Sequence, residues 1–393
     1  MVVLDVHAIV VDAKNTIFKT HIVRYTNQGI IPMNRQYFLT HSPINALFTK
    51  NSSDFVVNEI PLYPFSGEGE HLVLHIRKKD LTTWDMLQYL SEVTGCKVRD
   101  FGYAGLKDKD GMTTQYISLH KNFEPKLANF SHEKIKILEK TYHNNKIRTG
   151  HLKGNRFFVR LKKINPIDAR KLQDGLKKIA KEGYPNFFGY QRFGIDGDNY
   201  LKGKAILEGK RKERNPKMKE FFINAYQSYL FNNWLSKRIE ISRLIEEFPL
   251  QDAMRATNLS KESVEQCKKQ PQFFKMLLGD VLHHYPAGKA FVCENPTEEL
   301  PRFLEKQISI AGWLVGGKNI RAEHEAGEME IALFKESEPY LSKINGSRRF
   351  AWCFADDVEG VYKEEEAWFE MHFSLPKGSY ATVIIEELLK IAL

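Results

Sequence analysis

The spacing of hydrophobic and polar positions changes several times along the chain. In "DFVVNEIPLYPFSGEGEHLVLHIRKKD", Phe55 and Val57, then Leu72, Leu74 and Ile76, alternate with other residues. That is the period of a half-buried strand, so the segment predicts strand, loop, strand, with "SGEGEH" as an acidic glycine turn. "TTWDMLQYLSEVTG" switches to a helical period. Thr82 or Thr83 caps it, Leu87, Leu90 and Val93 share one face, and Gly95 ends it. "RDFGYAGLKDKDGMTTQYISLH" predicts a short strand, a charged loop and another strand. "NKIRTGHLKGNRFFVRLKKI" predicts a basic turn and an alternating strand, and "ARKLQDGLKKIAKEG" a helix ending at Gly183. An aromatic and glycine loop, "YPNFFGYQRFGIDGDN", comes after it.

From about Lys212 to Ser342 helical periodicity dominates and turn signals are sparse. That stretch predicts a second or inserted domain over 212–342. "AWFEMHFSLPKGSYATVIIEELLKIA" closes the chain with a strand, a Pro-Lys-Gly turn and a helix. Strands first, helices next, and a strand–helix unit at the end suit an α+β class better than regular βαβ alternation. The expected architecture is a mixed sheet with helices on it, rejoined by the last strand. Residues 1–32 differ in composition from the rest of the chain and read as an extension ahead of Met33.

Composition narrows the class. At 393 residues the chain has room for two or three domains, and 42% hydrophobic with 27% charged residues marks a globular protein. A net charge of +9 favours an anionic partner, without separating nucleic acid from a membrane surface. No apolar run approaches the roughly 20 residues a membrane span needs. The N-terminal stretch lacks the basic and small-residue features of a signal peptide. Cys96, Cys267, Cys293 and Cys353 form no CxxC pair and read as buried thiols of a reducing compartment. The cytoplasm is the expected location. There is no P-loop, no G-x-G-x-x-G before a helix, no HExxH and no paired Cys/His set; His283 and His284 read as structural. Catalysis is therefore expected to run on ordinary side chains, with no metal and no cofactor.

Three constellations remain. Asp108 lies between Lys107 and Lys109, where a nearby cation keeps a carboxylate ionised and fit to act as nucleophile or base. A solvated turn with paired charges fits the same spacing, and Asp110 competes for the role. "PNFFGYQRFG" sets three phenylalanines and a tyrosine among Asn186, Gln191 and Arg192. Enzymes that act on a flipped-out base stack it on an aromatic ring and read its edge with polar groups, although core packing is the commoner fate of Phe. Lys146, Arg148, His151, Lys153 and Arg156 form one basic cluster; Lys210, Arg211, Lys212, Arg214, Lys217 and Lys219 form a second. Such clusters neutralise phosphates or simply face water.

The stretches "DFVVNEIPLYPFSGEGEH", "GYAGLKDKDGMTTQ", "HLKGNRF", "PNFFGYQRFG" and "LPKGSYAT" occur in the order and spacing of one family. From about Met33 to its end the chain resembles the TruD family of tRNA pseudouridine synthases. The resemblance implies that Asp108 is the nucleophile, and Asp110 falls outside the matching position. It implies that Phe55, Asn186, Phe188 and Phe373 meet the substrate base, with Glu59 as the acidic residue of the strand that Phe55 opens. Lys50 is the nearest match to a lysine that pairs with the aspartate, one residue closer to that strand than the family spacing; Lys107 is a further supporting residue. The implied fold is a pseudouridine-synthase catalytic domain, 33–211 with 343–393, on a mixed, mainly antiparallel sheet. The α/β TRUD domain, 212–342, is inserted in it. The implied reaction isomerises uridine, at position 13 of tRNA, without a cofactor. The implied partner is tRNA, its backbone held by Lys146, Arg148, Lys153, Arg156, Arg192, Lys210 and Arg211. No obligatory protein partner is expected, and the chain is expected to be a monomer.

Overall fold

The computed structural model describes residues 35–393, so the expected extension over 1–32 lies outside the described residues. The first half alternates strands with a few helices. It begins with β1 (Leu47–Phe48), β2 (Phe55–Pro61), β3 (His71–Lys79) and α1 (Thr83–Thr94). Next come β4 (Gly102–Tyr103), β5 (Met112–His120), β6 (Ile135–His143), β7 (Leu152–Lys162) and α2 (Pro166–Glu182). Two-residue β8 (Tyr184–Pro185) and α3 (Asn199–Leu207) lead to α4 (Pro216–Glu247), the longest helix described. Caps fix the helix ends. Thr82 and Asp85 form a capping box on α1, and Gly95 closes it in a left-handed conformation. Asn165 and Asn215 cap α2 and α4, each followed by a proline whose missing N–H costs nothing there.

Helices α5 (Leu250–Thr257) and α6 (Lys261–Lys268) precede β9 (Val281–His284), β10 (Ala290–Val292) and α7 (Pro296–Leu304). Then come β11 (Ile308–Leu314), α8 (His324–Phe334), β12 (Ser347–Phe350), β13 (Trp352–Cys353), β14 (Asp356–Lys363), β15 (Trp368–Pro376) and α9 (Ala381–Leu389). The main sheet runs β14-β15-β7-β2-β5-β3-β6, with β1 on β7 and β4 on β5. Only the β2–β5 pair is parallel, Val56 facing Met112; the rest of the sheet is antiparallel. The last long strand does return to this sheet, Phe373 of β15 opposite Phe157 of β7.

A second sheet, β10-β9-β11-β12, lies largely within the region where periodicity predicts helices, in keeping with the α/β class that the resemblance implies. Its strands are short, and β11 is buried along nearly its whole length, so no alternation marks it. Helix α4 packs against this sheet. A methyl at Gly312 of β11 would meet the Trp234 ring at 2.2 Å and the Phe231 ring at 2.8 Å, so only glycine lets helix and strand approach this closely. One large core joins Phe157, Val159 and Met371 of the main sheet to Phe231, Trp234 and Ile310 around the second. The outer strands β3 and β6 close a separate core with Met86, Leu87 and Leu90 of α1. All four cysteines are buried free thiols.

Candidate active site

The loop between β4 and β5 carries Asp108, and its backbone is held from beneath. Lys78 comes from the end of β3. It is fully buried, and its Nζ donates to the carbonyl oxygens of Asp108 at 2.7 Å and Leu81 at 2.6 Å. Burial pulls this ammonium down to about 8, against a smaller opposing pull from Asp108. Lys107 turns away from its neighbour. Its Nζ meets Glu59 Oε2 at 3.0 Å and Asn155 Oδ1 at 2.5 Å, while its backbone N–H donates to Thr83 Oγ1 at 2.9 Å. Burial raises the Glu59 carboxyl above its ordinary range, and Lys107 draws it back. Gly111 ends the loop at φ +88°, where a Cβ would lie 2.7 Å from the Phe55 carbonyl oxygen. The turn back into β5 therefore takes glycine alone.

The Asp108 carboxylate is exposed and has no hydrogen-bond or ion-pair partner among the described residues. It faces a cleft of about 250 Å³. Phe55 and Phe157 form one part of the wall, and Gln191, Ser379 and Tyr380 another. Lys50, Lys107, Asn155 and Asp110 also line it. The four strands β1, β2, β7 and β15 put Phe48, Phe55, Phe157 and Phe373 in one aromatic row. Successive ring centroids lie 5.8, 6.2 and 5.6 Å apart.

The sequence-chosen residues thus fall in two layers. Asp108, Phe55, Lys50 and Lys107 line the cleft. Glu59 stands behind Lys107, and Phe373, which is buried, behind Phe157. Lys50 Nζ sits 5.0 Å from the Tyr190 ring centroid, and no ion pair joins it to Asp108. Asn186 is buried behind Ser379. Its Nδ2 donates to Phe350 O at 2.9 Å, and its Oδ1 accepts from Arg349 Nη2 at 3.0 Å and Ser379 Oγ at 3.1 Å. Phe188 packs 6.3 Å from the Tyr380 ring, and Asn232 of α4 clamps its backbone N–H and C=O at 2.9 and 3.0 Å.

Of the basic candidates, Lys153 and Arg156 are exposed beside Leu152 and Asn155 of the cleft wall, and Arg148 is exposed on the turn before β7. Lys146 donates to Arg99 O at 3.3 Å. Arg192 stands over the Phe188 ring at 5.3 Å. Lys210 pairs with Glu208 at 2.8 Å, and Arg211 covers the Phe222 ring at 5.6 Å. Residues the sequence reading passed over are Lys78, Phe157, Asn155 and Tyr380. Phe157 and Asn155 carried a signal, since both flank or sit in the "HLKGNRF" motif and alternate inward on β7.

The chain matches the family model described as tRNA pseudouridine synthase D (TruD) over residues 32–215 and 211–388. The tRNA pseudouridine synthase D of Nitratiruptor sp. is 53% identical over 356 residues, covering 91% of this chain and 98% of the relative. That of Campylobacter jejuni (serotype O:23/36) is 54% identical over 358 residues, covering 90% and 95%. The solved TruD-type chain from Methanosarcina mazei superposes with a TM-score of 0.67 at 22% identity, over 91% of this chain and 96% of its own, and shares the fold. With matches over nearly the whole described length, the chain belongs to the TruD family of tRNA pseudouridine synthases.

Proposed function

We propose that this chain converts uridine 13 of tRNA to pseudouridine, with Asp108 as the reacting carboxylate. The reaction breaks the N1–C1′ bond, turns the uracil and joins C5 to C1′. The C5 proton leaves and N1 gains one, so no electrons are exchanged and no cofactor is called for. The observation that carries the reading is a carboxylate with free lone pairs, on a pinned backbone, facing an aromatic-walled cleft. Addition to the sugar, addition to the base and proton removal on the way to a glycal all need that arrangement.

In this reading Phe55, Phe157 and Tyr380 hold the flipped pyrimidine. Asn186, Phe188 and Phe373 keep that wall in place from behind. Retaining the detached uracil beside C1′ is an orientation effect of up to roughly 7–11 kcal/mol. Lys146, Arg148, Lys153, Arg156, Arg192, Lys210 and Arg211 take the tRNA backbone. Segments 33–211 and 343–393 form the catalytic part and 212–342 the insertion, and a single chain suffices.

The test is Asp108→Asn on purified tRNA, with pseudouridine mapped by carbodiimide primer extension and tRNA affinity measured alongside. Pseudouridine at position 13 disappears and tRNA affinity stays. Turnover within a few-fold of wild type removes Asp108 from the role, and a larger loss in Asp110→Asn transfers it to Asp110.

A further inference from the structure

Among the described residues, the buried Arg238 and Arg348 side chains are each matched with a carboxylate. Arg238 meets Asp280 at 2.5 and 2.8 Å, and Arg348 meets Glu330 at 3.0 Å. Two arginines beside the cleft break that pattern. Arg349 and Arg192 stand over the same Phe188 ring, their Cζ atoms 3.9 and 5.3 Å from its centroid. Neither has an ion pair among the described residues.

The Arg349 guanidinium is fixed by neutral acceptors only. Nε donates to Asn186 O at 3.1 Å; Nη2 donates to Asn186 Oδ1 at 3.0 Å and Phe187 O at 3.3 Å. Nη1 has no partner among the described residues. It faces the turn after β15, where a methyl on Gly378 would lie 3.7 Å away. The next two residues, Ser379 and Tyr380, line the Asp108 cleft. Arg192 Nε is buried with no hydrogen-bond partner among the described residues, and Gln191 beside it lines the cleft. Burial pulls the Arg349 guanidinium below its usual value against opposing pulls from Tyr380, Cys353 and Tyr184, and Arg192 adds the smallest downward pull. Two partly buried cations on one ring, without a counter-charge among the described residues, are costly to hold. An outside anion removes that cost.

We infer that Arg349 and Arg192 form an anion subsite that grips one phosphodiester group of the bound RNA, beside the nucleotide in the Asp108 cleft. The inference rests on the RNA reading above and adds Arg349 to it. A guanidinium held by Nε and Nη2 with a free Nη1 offers one fixed donor, and Arg192 offers its unpartnered edge. Phosphate oxygens accept from both at once. A nucleotide whose base enters the cleft carries its own phosphates to within one nucleotide's reach of this pair.

The test is the salt dependence of tRNA binding for wild type, Arg349→Met, Arg192→Met and Arg349→Lys, with inorganic phosphate as competitor. Each Met variant lowers the slope of log K against log salt, and the two together lower it by about 0.7–0.9, the value for one phosphate contact. Arg349→Lys keeps the slope and loses affinity, since it keeps the charge and not the fork. Arg192→Met removes no hydrogen bond to the chain, so it carries the test if Arg349→Met fails to fold. Wild-type slopes in folded Met variants overturn the inference, even if turnover falls. So does tight inorganic phosphate binding with unchanged tRNA slopes, which assigns the site to a free phosphate. A wild type that binds tRNA and makes no pseudouridine sinks the proposed function, while the slopes still decide the subsite.

Discussion

Replacing Lys78 with methionine separates positioning from stability. Methionine keeps most of the volume and removes the charge and both hydrogen bonds. Two opposing magnitudes come from the structure. Lowering the ammonium from its ordinary 10.5 to about 8 is a net cost to the charged form of about 3 kcal/mol, with burial outweighing the pull of Asp108. Against that stand two charge-assisted hydrogen bonds, to Asp108 O and Leu81 O, each worth about 1.5–3 kcal/mol. The two nearly cancel, so Lys78→Met loses no more than about 3 kcal/mol of stability. Activity does not share the cancellation. With its carbonyl released, the Asp108 loop shifts, and a displacement of about 1 Å costs roughly 100-fold in rate. Single-turnover pseudouridine formation on tRNA, beside urea unfolding, reads both quantities. A rate within threefold of wild type, or a rate loss that only tracks unfolding, refutes the reasoning. The same burial has a pH signature. The folded chain releases this proton near pH 8 and the unfolded chain near 10.5. Between those values the unfolded state binds more protons, so wild-type stability gains from this group as pH rises through the window. Lys78→Met lacks that gain.

Glu59→Gln breaks the buried pair with Lys107 and destabilises the fold in urea unfolding by up to about 3–5 kcal/mol, the limit for a charge left unpaired, whereas Glu59→Gln with Lys107→Met recovers most of it. Gly111→Ala forces a side chain into a positive φ and against the Phe55 carbonyl oxygen. It costs at least about 1–3 kcal/mol and lowers turnover, and wild-type melting and turnover would show that the loop can reroute. Charge reversal at Lys210, Arg211 and Lys212 weakens tRNA binding and flattens its salt dependence; unchanged binding in filter assays moves the RNA path elsewhere.

Much of the main sheet was readable because its signals are local. Leu72, Leu74 and Ile76 alternate, Thr82 and Gly95 punctuate α1, and Gly183 ends α2. The motif resemblance located the Asp108 loop and Phe55 at the cleft. What escaped is set by tertiary packing. The second sheet is short-stranded and its β11 is buried on both faces, so it has no period to detect. Lys78 sits in "HIRKKD", a run that looks like a solvated strand end, yet Lys78 is fully buried while Lys79 is exposed. Only the fold of the Asp108 loop onto β3 reveals the difference. Arg349 gives no signal either. In "SRRF" two adjacent arginines point to opposite sides of β12, Arg348 to Glu330 and Arg349 to Asn186. Nothing in the string says which one lacks a carboxylate.

The cations near Asp108 lie under its backbone rather than against its carboxylate, and this difference bears on the chemistry. An ion pair at 4 Å in an environment with effective dielectric near 20 is worth about 4 kcal/mol. A Lys107–Asp108 pair of that strength would hold the carboxylate oxygens, and attack or proton removal would first have to break it. Lys107 instead directs its charge to Glu59 and Asn155, and Lys78 directs its own to two carbonyl oxygens. Positive charge still lies close to the loop, where it favours an incoming polyanion. The lone pairs stay free, as the proposed role of Asp108 needs. Glu59 thus acts as the group that keeps Lys107 occupied. Loss of its charge frees Lys107 to turn on Asp108, so Glu59→Gln slows single-turnover chemistry by more than its stability loss accounts for. Adding Lys107→Met restores part of the rate, which a purely structural Glu59 would not allow.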